Sequence, residues 1–285
     1  PASLDAVVAR GGLVRPLESG TYRINEAMIT DLESGTFGQH ASNLGAPIAR
    51  ELARKHDLPA YVVDPPVVDE LDDAARVTGM PGVERRAAWH TLNQKACARR
   101  FAEERGKETS DINVIVAHLG GGISVGAHRR GRCVFVRDAL YDGPMTPQRT
   151  GSLPQRELIR LCLEHPDQEH IDGMLVSQGG LMAHLGTTDL ARVEQMIDDG
   201  DRRAALLYEA MLQQIAMEIA SLVPKFEGQP VDRILLTGGM THSRRLVERL
   251  RDLLARLPVE VTVYPGEDEL DALMRGGVPY LVGRG

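Results

Sequence analysis

The sequence has little cysteine, and what it has fits neither a disulfide framework nor a zinc site. Its three cysteines, Cys97, Cys133 and Cys162, are odd in number, lie far apart and form no C-x-x-C pair. Such usage is typical of a reducing compartment. Residues 1–20 also lack the apolar core of a signal peptide, and we therefore expect a cytoplasmic protein.

Aromatic residues and basic stretches are also scarce. Aromatic side chains make up 4% of the 285 residues, and the formal net charge is −7. With few stacking platforms and no long basic stripe, nucleic acid is not an expected partner. No apolar run approaches the length of a membrane span, so no membrane partner is expected either. The remaining composition is that of an ordinary globular protein, long enough for two domains or one large α/β unit.

Glycine, by contrast, is concentrated at the ends of two apolar runs. Residues 114–119 run directly into Gly120, Gly121 and Gly122, with His118 in front of the turn and an arginine cluster at 129–132 behind it. Without Cβ atoms, such a turn lets an anion lie against main-chain N–H groups. The turn alone is equally consistent with a hairpin that binds nothing, because glycine runs are common in turns.

A second glycine pair shifts the balance toward a nucleotide site. Residues 233–237 lead into Gly238, Gly239 and Met240, and a helical pattern follows from residue 244. A strand that delivers glycines to a helix N-terminus offers another place for a phosphate or a sugar. Because the two glycine segments lie far apart in the chain, they suggest two half-domains that close on one nucleotide.

Helical and strand patterns alternate along the chain, which predicts an α/β fold. We expect strands at residues 6–9, 60–63, 233–237 and 259–264, a hairpin at 113–137, and helices at 43–56, 86–105, 154–164, 190–199, 202–226, 244–256 and 267–275. Asn43 is the expected cap of the first helix. The helical residues expected to face the core include Leu44, Ile48, Leu52, Ile159 and Leu206.

Several short segments carry a more specific signal. In chain order they are Arg10-Gly11-Gly12-Leu13, Gly20-Thr21-Tyr22-Arg23, Asn25-Glu26-Ala27-Met28, His40-Ala41-Ser42-Asn43-Leu44-Gly45, Val63-Asp64-Pro65, His90-Thr91-Leu92-Asn93-Gln94-Lys95-Ala96, residues 118–128, Asp142-Gly143-Pro144, residues 147–154, Gly238-Gly239-Met240 and residues 266–270. Together they resemble the motifs of butyrate kinases, which belong to the acetokinase family of carboxylate kinases.

The resemblance implies the fold of the acetate and sugar kinase, Hsc70 and actin superfamily. This is an α/β fold with two ribonuclease-H-like halves and a nucleotide cleft between them. We expect residues 1–140 to form the N-terminal half with the carboxylate and phosphate site, and residues 141–266 the C-terminal half with the nucleotide site. Residues 267–285 are expected to form a terminal helix that packs back on the first half.

The resemblance also implies a strand and a phosphate hairpin of the type Asn-x-Gly-Ser-x-Ser-x-Lys ahead of the present first residue. No such motif occurs in residues 1–285. We therefore expect the first half to be incomplete at its start, and the activity of these residues by themselves to depend on whether that hairpin is required.

The implied reaction is reversible phosphoryl transfer from ATP to a short-chain carboxylate, with Mg²⁺ as cofactor and ADP as the second product. A carboxylate is already ionised at pH 7, so the site needs cations and hydrogen-bond donors and no strong base. By resemblance, Arg10 and Arg149 clamp the carboxylate and the transferring phosphoryl group, a task that suits a planar guanidinium. The resemblance also implies that His90 hydrogen-bonds that phosphoryl group and that Asp64 is a catalytic carboxylate, which acts through Mg²⁺ or orients the substrate.

The remaining implied roles concern the nucleotide, the metal and the acyl pocket. The implied nucleotide-binding residues are His118, Gly120, Gly121, Gly122, Asp189, Gly238, Gly239 and Met240. Glu269 is the implied metal ligand, with Glu267 and Asp268 beside it. His40, Asn43, Gly12 and Trp89 are assigned to the substrate pocket.

Each role has a structural alternative. A lone arginine is more often a surface ion-pair partner, Asp64 could be a turn residue before two prolines, and His40 or His90 could be a core histidine. The acidic residues near 269 could simply complement a helix N-terminus.

Acyl-chain length is the least determined feature. Acetate-specific relatives carry a branched residue at the position of Gly12, so its missing side chain is expected to leave room for extra carbons, with Trp89 as a wall. We therefore expect butanoate or isobutanoate. Acetate or propionate kinase is one alternative, and a non-catalytic nucleotide-binding fragment is another. A sugar kinase is disfavoured by the set of Arg10, Arg149 and His90, and a homo-oligomer is expected by family analogy.

Overall fold

Short runs of apolar and β-branched residues form the strands, and amphipathic segments between them form the helices. The computed structural model describes residues 4–267 and 269–281, with only the backbone described for residues 279–281. The strands are β1 (Val7–Arg10), β2 (Thr21–Arg23), β3 (Ala60–Val63), β4 (Asn113–Leu119), β5 (Ile123–Arg129), β6 (Arg132–Val136), β7 (Arg233–Gly238) and β8 (Val261–Pro265). The helices are α1 (Glu26–Ser34), α2 (Gly45–Lys55), α3 (Asp73–Arg76), α4 (Thr91–Glu103), α5 (Gln155–Glu164), α6 (Gln168–Val176), α7 (Gly180–Leu185), α8 (Leu190–Asp198), α9 (Arg202–Ser221), α10 (Arg244–Leu254) and α11 (Glu269–Leu281).

The strands form two sheets. The smaller sheet has the order β1-β3-β2, with β1 parallel and β2 antiparallel to β3. The larger sheet has the order β6-β5-β4-β7-β8, in which β4, β5 and β6 form an antiparallel meander and β7 and β8 run parallel to β4. Parallel neighbours end at the same edge of a sheet, so β4 and β7 deliver their glycines to one place.

Apolar side chains cover both faces of the larger sheet. Met211, Leu212, Ile215 and Ile219 of α9 are fully buried in the core cluster on one face. On the opposite face, Phe101 of α4 is buried in a separate cluster. Burying one large aliphatic or aromatic side chain contributes about 1.5–3 kcal/mol, so these two helices fix the sheet that carries the glycine turns.

The domain boundary expected at residue 140 does not separate the two sheets. Strands β4, β5 and β6 precede that residue, yet they share one sheet with β7 and β8. The larger sheet thus begins at Asn113. Helix α11 follows the larger sheet in the chain but packs against the smaller one, where Gly276 lies against Val63 and accepts a hydrogen bond from Thr21.

Four expectations about helix α2 and the turn before it are wrong. Leu44, Ile48 and Leu52 are 63%, 57% and 46% exposed, and the buried face consists of alanines at 46, 49 and 53. The reason is close packing, because a Cβ at Gly45 would overlap the carbonyl oxygen of Arg10. Asn43 does not cap the helix either, since it lies in a 3₁₀ turn, Ala41–Leu44, that precedes α2.

Other helix predictions differ in detail. Leu206 is 69% exposed because α9 turns Ala204, Tyr208 and Met211 toward the core instead, and Ile159 is exposed on a helix with no buried residues. The helix expected from residue 86 begins at Thr91, and Ala88 pairs with Asp138 in an isolated β-bridge. No helix within the described ranges is long and apolar enough to cross a membrane.

Candidate active site

The ends of strands from both sheets meet around one group of polar side chains. Arg10 ends β1, His118 lies near the end of β4, and His90 immediately precedes α4. Arg149 reaches the same place from the loop before α5, and Glu269 from the start of α11. The structure therefore brings together residues that are widely separated in the chain.

Two histidines form the centre of this group. The imidazole rings of His90 and His118 are stacked, with centroids 3.8 Å apart and an angle of 12° between their planes. His90 Nδ1 lies 2.9 Å from the Ser124 hydroxyl. His118 Nδ1 lies 2.9 Å from Asn93 Oδ1, and its Nε2 lies 3.2 Å from a carboxylate oxygen of Glu267. Burial, followed by the charges of His118 and Arg149, holds the pKa of His90 well below its ordinary value, so His90 is a neutral ring at pH 7.

Arg149 is a buried cation whose guanidinium is only partly satisfied. The residue is 6% exposed, and its Nη1 donates a 2.7 Å hydrogen bond to the Ala139 carbonyl. Its Nε is buried without a partner, and within the described part of the chain no carboxylate forms an ion pair with it. Burial lowers the pKa of Arg149. The charge of Asp138 partly opposes this shift, and a buried guanidinium with an unbonded Nε can accept an anion.

A small cavity of 40 Å³ opens beside these cations. Its polar lining consists of Arg10, His40, Ser42, His90 and Arg149, and its apolar lining of Leu13, Pro66, Ala88, Trp89, Ala139 and Leu140. Trp89 is buried and held in place by a 2.8 Å hydrogen bond from Nε1 to the Val68 carbonyl. A cavity with cations on one side and apolar walls on the other suits a short acid with its carboxylate toward the arginines.

Gly12 does not contribute to this cavity, contrary to expectation. A Cβ at Gly12 would lie 2.6 Å from Asn43 Cα and 2.7 Å from Leu32 Cδ2, so the protein's own atoms fill the space. Asn43 accepts a 2.9 Å hydrogen bond from the Leu13 N–H and donates one of 3.0 Å to the Gly38 carbonyl. Both residues shape the loop beneath the cavity.

Asp64 and His40 occupy different environments. Asp64 is buried at a positive φ of 41°, and its Oδ1 accepts hydrogen bonds from the Ser19 hydroxyl at 2.7 Å and the Gly20 N–H at 2.9 Å. These contacts match its alternative interpretation as a turn residue. His40 lines the cavity, and its Nδ1 lies 2.8 Å from the Ser42 hydroxyl. Burial and the charges of Arg149 and Arg10 lower the pKa of His40.

Two glutamates neutralise part of the cationic group. Glu269 pairs with Arg10 at 2.9 Å, and Glu267 pairs with His118. The hydrogen bond from His118 lowers the pKa of Glu267, whereas burial raises the pKa of Glu269. Asp268, between them, lies outside the described residues.

These acidic residues also bear on metal binding. Among the described residues, no three His, Cys, Asp or Glu side chains are grouped to hold a metal by themselves. Mg²⁺ is usually held by one or two carboxylates together with substrate phosphates and waters, so Glu267 and Glu269 fit a metal that arrives with a nucleotide.

The two glycine segments lie side by side at the edge of the larger sheet. Gly238 has a φ of 94°, and a Cβ there would overlap the Leu119 carbonyl oxygen, so only glycine fits. Gly239 is exposed, and a Cβ at this position would meet open space. In the first turn, the Gly120 N–H bonds to the Gly122 carbonyl, and the Gly121 N–H has no partner among the described residues. The open surface thus lies over Gly121 and Gly239.

Other candidate nucleotide residues have contacts of their own. The Met240 side chain is buried in the core, which leaves only its backbone for a ligand. Asp189 caps α8 by accepting a 2.9 Å hydrogen bond from the Ala191 N–H. A Cβ at Gly122 would overlap the Arg149 guanidinium, so this glycine makes room for an arginine rather than for a phosphate.

Asn93, Gln94 and Ser124 also belong to the site, although the sequence marks them only as members of motifs and predicts no role for them. Asn93 and Gln94 follow His90 by three and four positions, the spacing that places residues on one face of a helix. Ser124 pairs with His118 across β4 and β5. The helical spacing after His90 was the available signal for the first two residues.

Comparison with known proteins adds to this geometry. The model of the acetokinase family matches residues 77–262. An acetate kinase from Porphyromonas gingivalis superposes with a TM-score of 0.81 and 19% identity, covering 98% of this chain and 78% of that chain. A propionate kinase from Francisella tularensis subsp. tularensis SCHU S4 superposes with a TM-score of 0.79 and 18% identity, covering 95% of this chain and 78% of that chain. An acetate kinase from Entamoeba histolytica superposes with a TM-score of 0.76 and 17% identity, covering 95% of this chain and 81% of that chain. The predicted actin-like α/β fold is confirmed.

Proposed function

The chain belongs to the acetokinase family, and on that premise we propose that it transfers a phosphoryl group reversibly between ATP and butanoate or isobutanoate. The products are the acyl phosphate and ADP. The observation that carries the proposal is Arg149, a buried guanidinium with an unpaired Nε at the wall of a small apolar cavity. Such an arrangement favours a ligand that combines an anionic head with a short hydrocarbon tail.

The proposed reaction needs no proton transfer. A carboxylate oxygen attacks the γ-phosphorus in line, the new oxygen–phosphorus bond forms, and the bond from that phosphorus to the β–γ bridging oxygen breaks as ADP leaves. Arg10 and Arg149 neutralise the carboxylate and the equatorial phosphoryl oxygens, and His90 donates a hydrogen bond as a neutral ring. Positioning and charge stabilisation therefore supply the catalysis.

The nucleotide is proposed to lie over the open surface at Gly121 and Gly239, with His118 near its phosphates. Gly120, Gly122 and Gly238 are proposed to shape the two turns beneath it. Asp189 and the Met240 backbone are proposed as further contacts of the nucleotide. Mg²⁺ would enter with the nucleotide, held by Glu267 and Glu269, and would supply charge neutralisation on the phosphates. Asp64 is proposed to support the site indirectly, because its Oδ1 fixes the loop at Ser19 and Gly20.

The apolar walls support an acid longer than acetate. Leu13, Trp89 and Leu140 offer contacts to a hydrocarbon tail, and each buried methylene adds about 0.8 kcal/mol. Acetate or propionate is the second candidate, favoured by the small cavity volume of 40 Å³. By family analogy, we also propose that the protein forms a homo-oligomer and is cytoplasmic. The two sheets are proposed to be the centres of its two halves.

Acyl-phosphate formation tests the proposal directly. The chain is incubated with Mg-ATP and, in parallel, acetate, propionate, butanoate and isobutanoate, and the product is trapped with hydroxylamine. We expect the highest kcat/KM with the four-carbon acids. Equal kcat/KM for acetate would overturn the chain-length proposal alone. ATP binding without turnover of any acid would favour a non-catalytic nucleotide-binding protein.

A further inference from the structure

The side chain of Ser124 has three polar neighbours, and only one of them can accept its proton. Gln94 Nε2 donates to the Ser124 hydroxyl at 2.8 Å, and the His90 backbone N–H donates to it at 3.3 Å. The third neighbour is His90 Nδ1 at 2.9 Å. With two donors already pointing at its oxygen, the hydroxyl has its proton free for Nδ1.

The orientation of the Gln94 amide follows from its other contacts. Its Nε2 lies 3.1 Å from the Ser124 backbone carbonyl, which can only accept, so the NH₂ group must face Ser124. The Gln94 Oε1 then faces His128 Nε2 at 2.9 Å, and that ring nitrogen must carry a proton. The amide is thus held at both ends, and it cannot flip without placing two acceptors against each other.

Strand β5 is shaped to hold this amide. Ser124, Gly126 and His128 alternate along one face of the strand, as residues two apart do. A Cβ at Gly126 would lie 2.6 Å from Gln94 Oε1, so only glycine leaves room for the amide between Ser124 and His128. Gln94, Ser124, Gly126 and His128 are all buried. A buried hydrogen-bond network with every member paired holds its side chains firmly in one orientation.

We infer that Ser124 and Gln94 are positioning residues that fix His90 as its Nε2–H tautomer, with Nε2–H as the donor to the transferring phosphoryl group. The Ser124 hydroxyl occupies Nδ1 as an acceptor, and a neutral imidazole carries its one proton on the other nitrogen. The inference rests on the proposed function for the target of that donor. The tautomer itself rests only on the contacts within the protein.

The wild-type tautomer can be measured without any variant. Long-range ¹H–¹⁵N correlation spectra of the chain labelled with [¹⁵N]histidine distinguish a protonated ring nitrogen from a bare one. The signals of His90 are identified as those lost in His90→Gln. We expect a bare Nδ1 and a protonated Nε2 at pH 7. A protonated Nδ1 would overturn the inference, whatever the activity of the enzyme.

Variants then connect the tautomer to turnover. Ser124→Ala removes the donor to Nδ1, and we expect a mixture of tautomers with kcat reduced about tenfold, the effect of one orienting hydrogen bond. KM for ATP should change little. Ser124→Thr keeps the hydroxyl and should restore both the single tautomer and most of kcat. Ser221→Ala, which removes a hydroxyl bonded to the Glu218 carbonyl on α9, is the matched control.

The outcomes separate this inference from the proposed function. Unchanged kcat and an unchanged tautomer in Ser124→Ala would overturn the positioning role. A wild-type chain that shows the expected tautomer but forms no acyl phosphate with any acid would contradict the proposed function and leave the tautomer assignment supported.

Discussion

The rings of His90 and His118 lie face to face at a centroid separation of 3.8 Å, and one helix turn holds both of them. Asn93 contacts His118, and Gln94 fixes the serine that contacts His90. Two imidazolium ions could not be stacked at this distance without strong repulsion. The charge of His118 is accordingly one of the causes that lower the pKa of His90. His90 therefore acts as the neutral donor of the pair, and His118 is the ring that contacts Glu267.

Replacing Arg149 by methionine should abolish most activity and leave the fold intact. Removing one preorganised group that stabilises developing charge lowers kcat by about 10²–10³-fold. The free energy of unfolding should stay within about 1 kcal/mol of wild type, because the lost bond to Ala139 is offset by removal of a buried charge. Hydroxamate assays and urea denaturation measure the two quantities. Arg160→Met, on the surface of α5, is the control, and full activity in Arg149→Met would refute the proposed site.

The sequence predicts the fold class but not which residues line the cavity, as Gly12 shows. The fold class and most of the strands followed from periodicity, since Ala60–Val63 is a strand as predicted and the two glycine turns meet at one sheet edge. Gly12 lies against Asn43 and Leu32, and the neighbouring Leu13 N–H is bonded to Asn43, 30 residues along the chain. No local sequence pattern encodes such contacts. The same limit explains why Leu44, which immediately precedes α2, and Ile48 within it are exposed and not buried as predicted, because alanines allow the helix to approach β1 closely.

Gly12→Ala should therefore affect stability rather than specificity. The added methyl group would lie 2.6 Å from Asn43 Cα, and overpacking of this kind costs roughly 1–3 kcal/mol. The ratio of kcat/KM for butanoate to that for acetate should stay at its wild-type value. Chemical denaturation and substrate profiling check the two statements. A change in the ratio at unchanged stability would restore Gly12 to the pocket.

Leu140→Ala should shift chain-length preference instead, because Leu140 lines the cavity. Removing most of its side chain enlarges the cavity, so that a longer hydrocarbon tail can be buried there. Each added methylene that becomes buried is worth about 0.8 kcal/mol, or about fourfold in kcat/KM. The ratio of kcat/KM for pentanoate to that for propionate should rise by at least this factor. Leu163→Ala, at an exposed position of α5, serves as the comparison and should leave the ratio unchanged.

Only one of the three cysteines should react with a thiol reagent in the folded protein. Cys162 is exposed, whereas Cys97 and Cys133 are buried and burial raises the pKa of both thiols. The thiolate is the reactive form, so these two are protected both by access and by protonation. Titration with DTNB should give one thiol per chain in buffer and three in guanidinium chloride. Cys162→Ser should remove the fast reaction, and a second fast thiol would contradict the buried positions.

The pair formed by His118 and Glu267 should give stability that depends on pH with a definite sign. The hydrogen bond from His118 lowers the folded-state pKa of Glu267 below its unfolded value. The carboxylate therefore stabilises the fold at pH values above the unfolded pKa, about 4.3, and loses that contribution as the pH falls through the lower folded pKa. Wild type should be more stable than Glu267→Gln at pH 7, and the difference should shrink as the pH falls below the unfolded pKa of about 4.3. Thermal unfolding from pH 3.5 to 8 tests this, with Glu248→Gln on the surface of α10 as the control. A stability difference that grows as the pH falls would mean that Glu267 and His118 are not paired in solution.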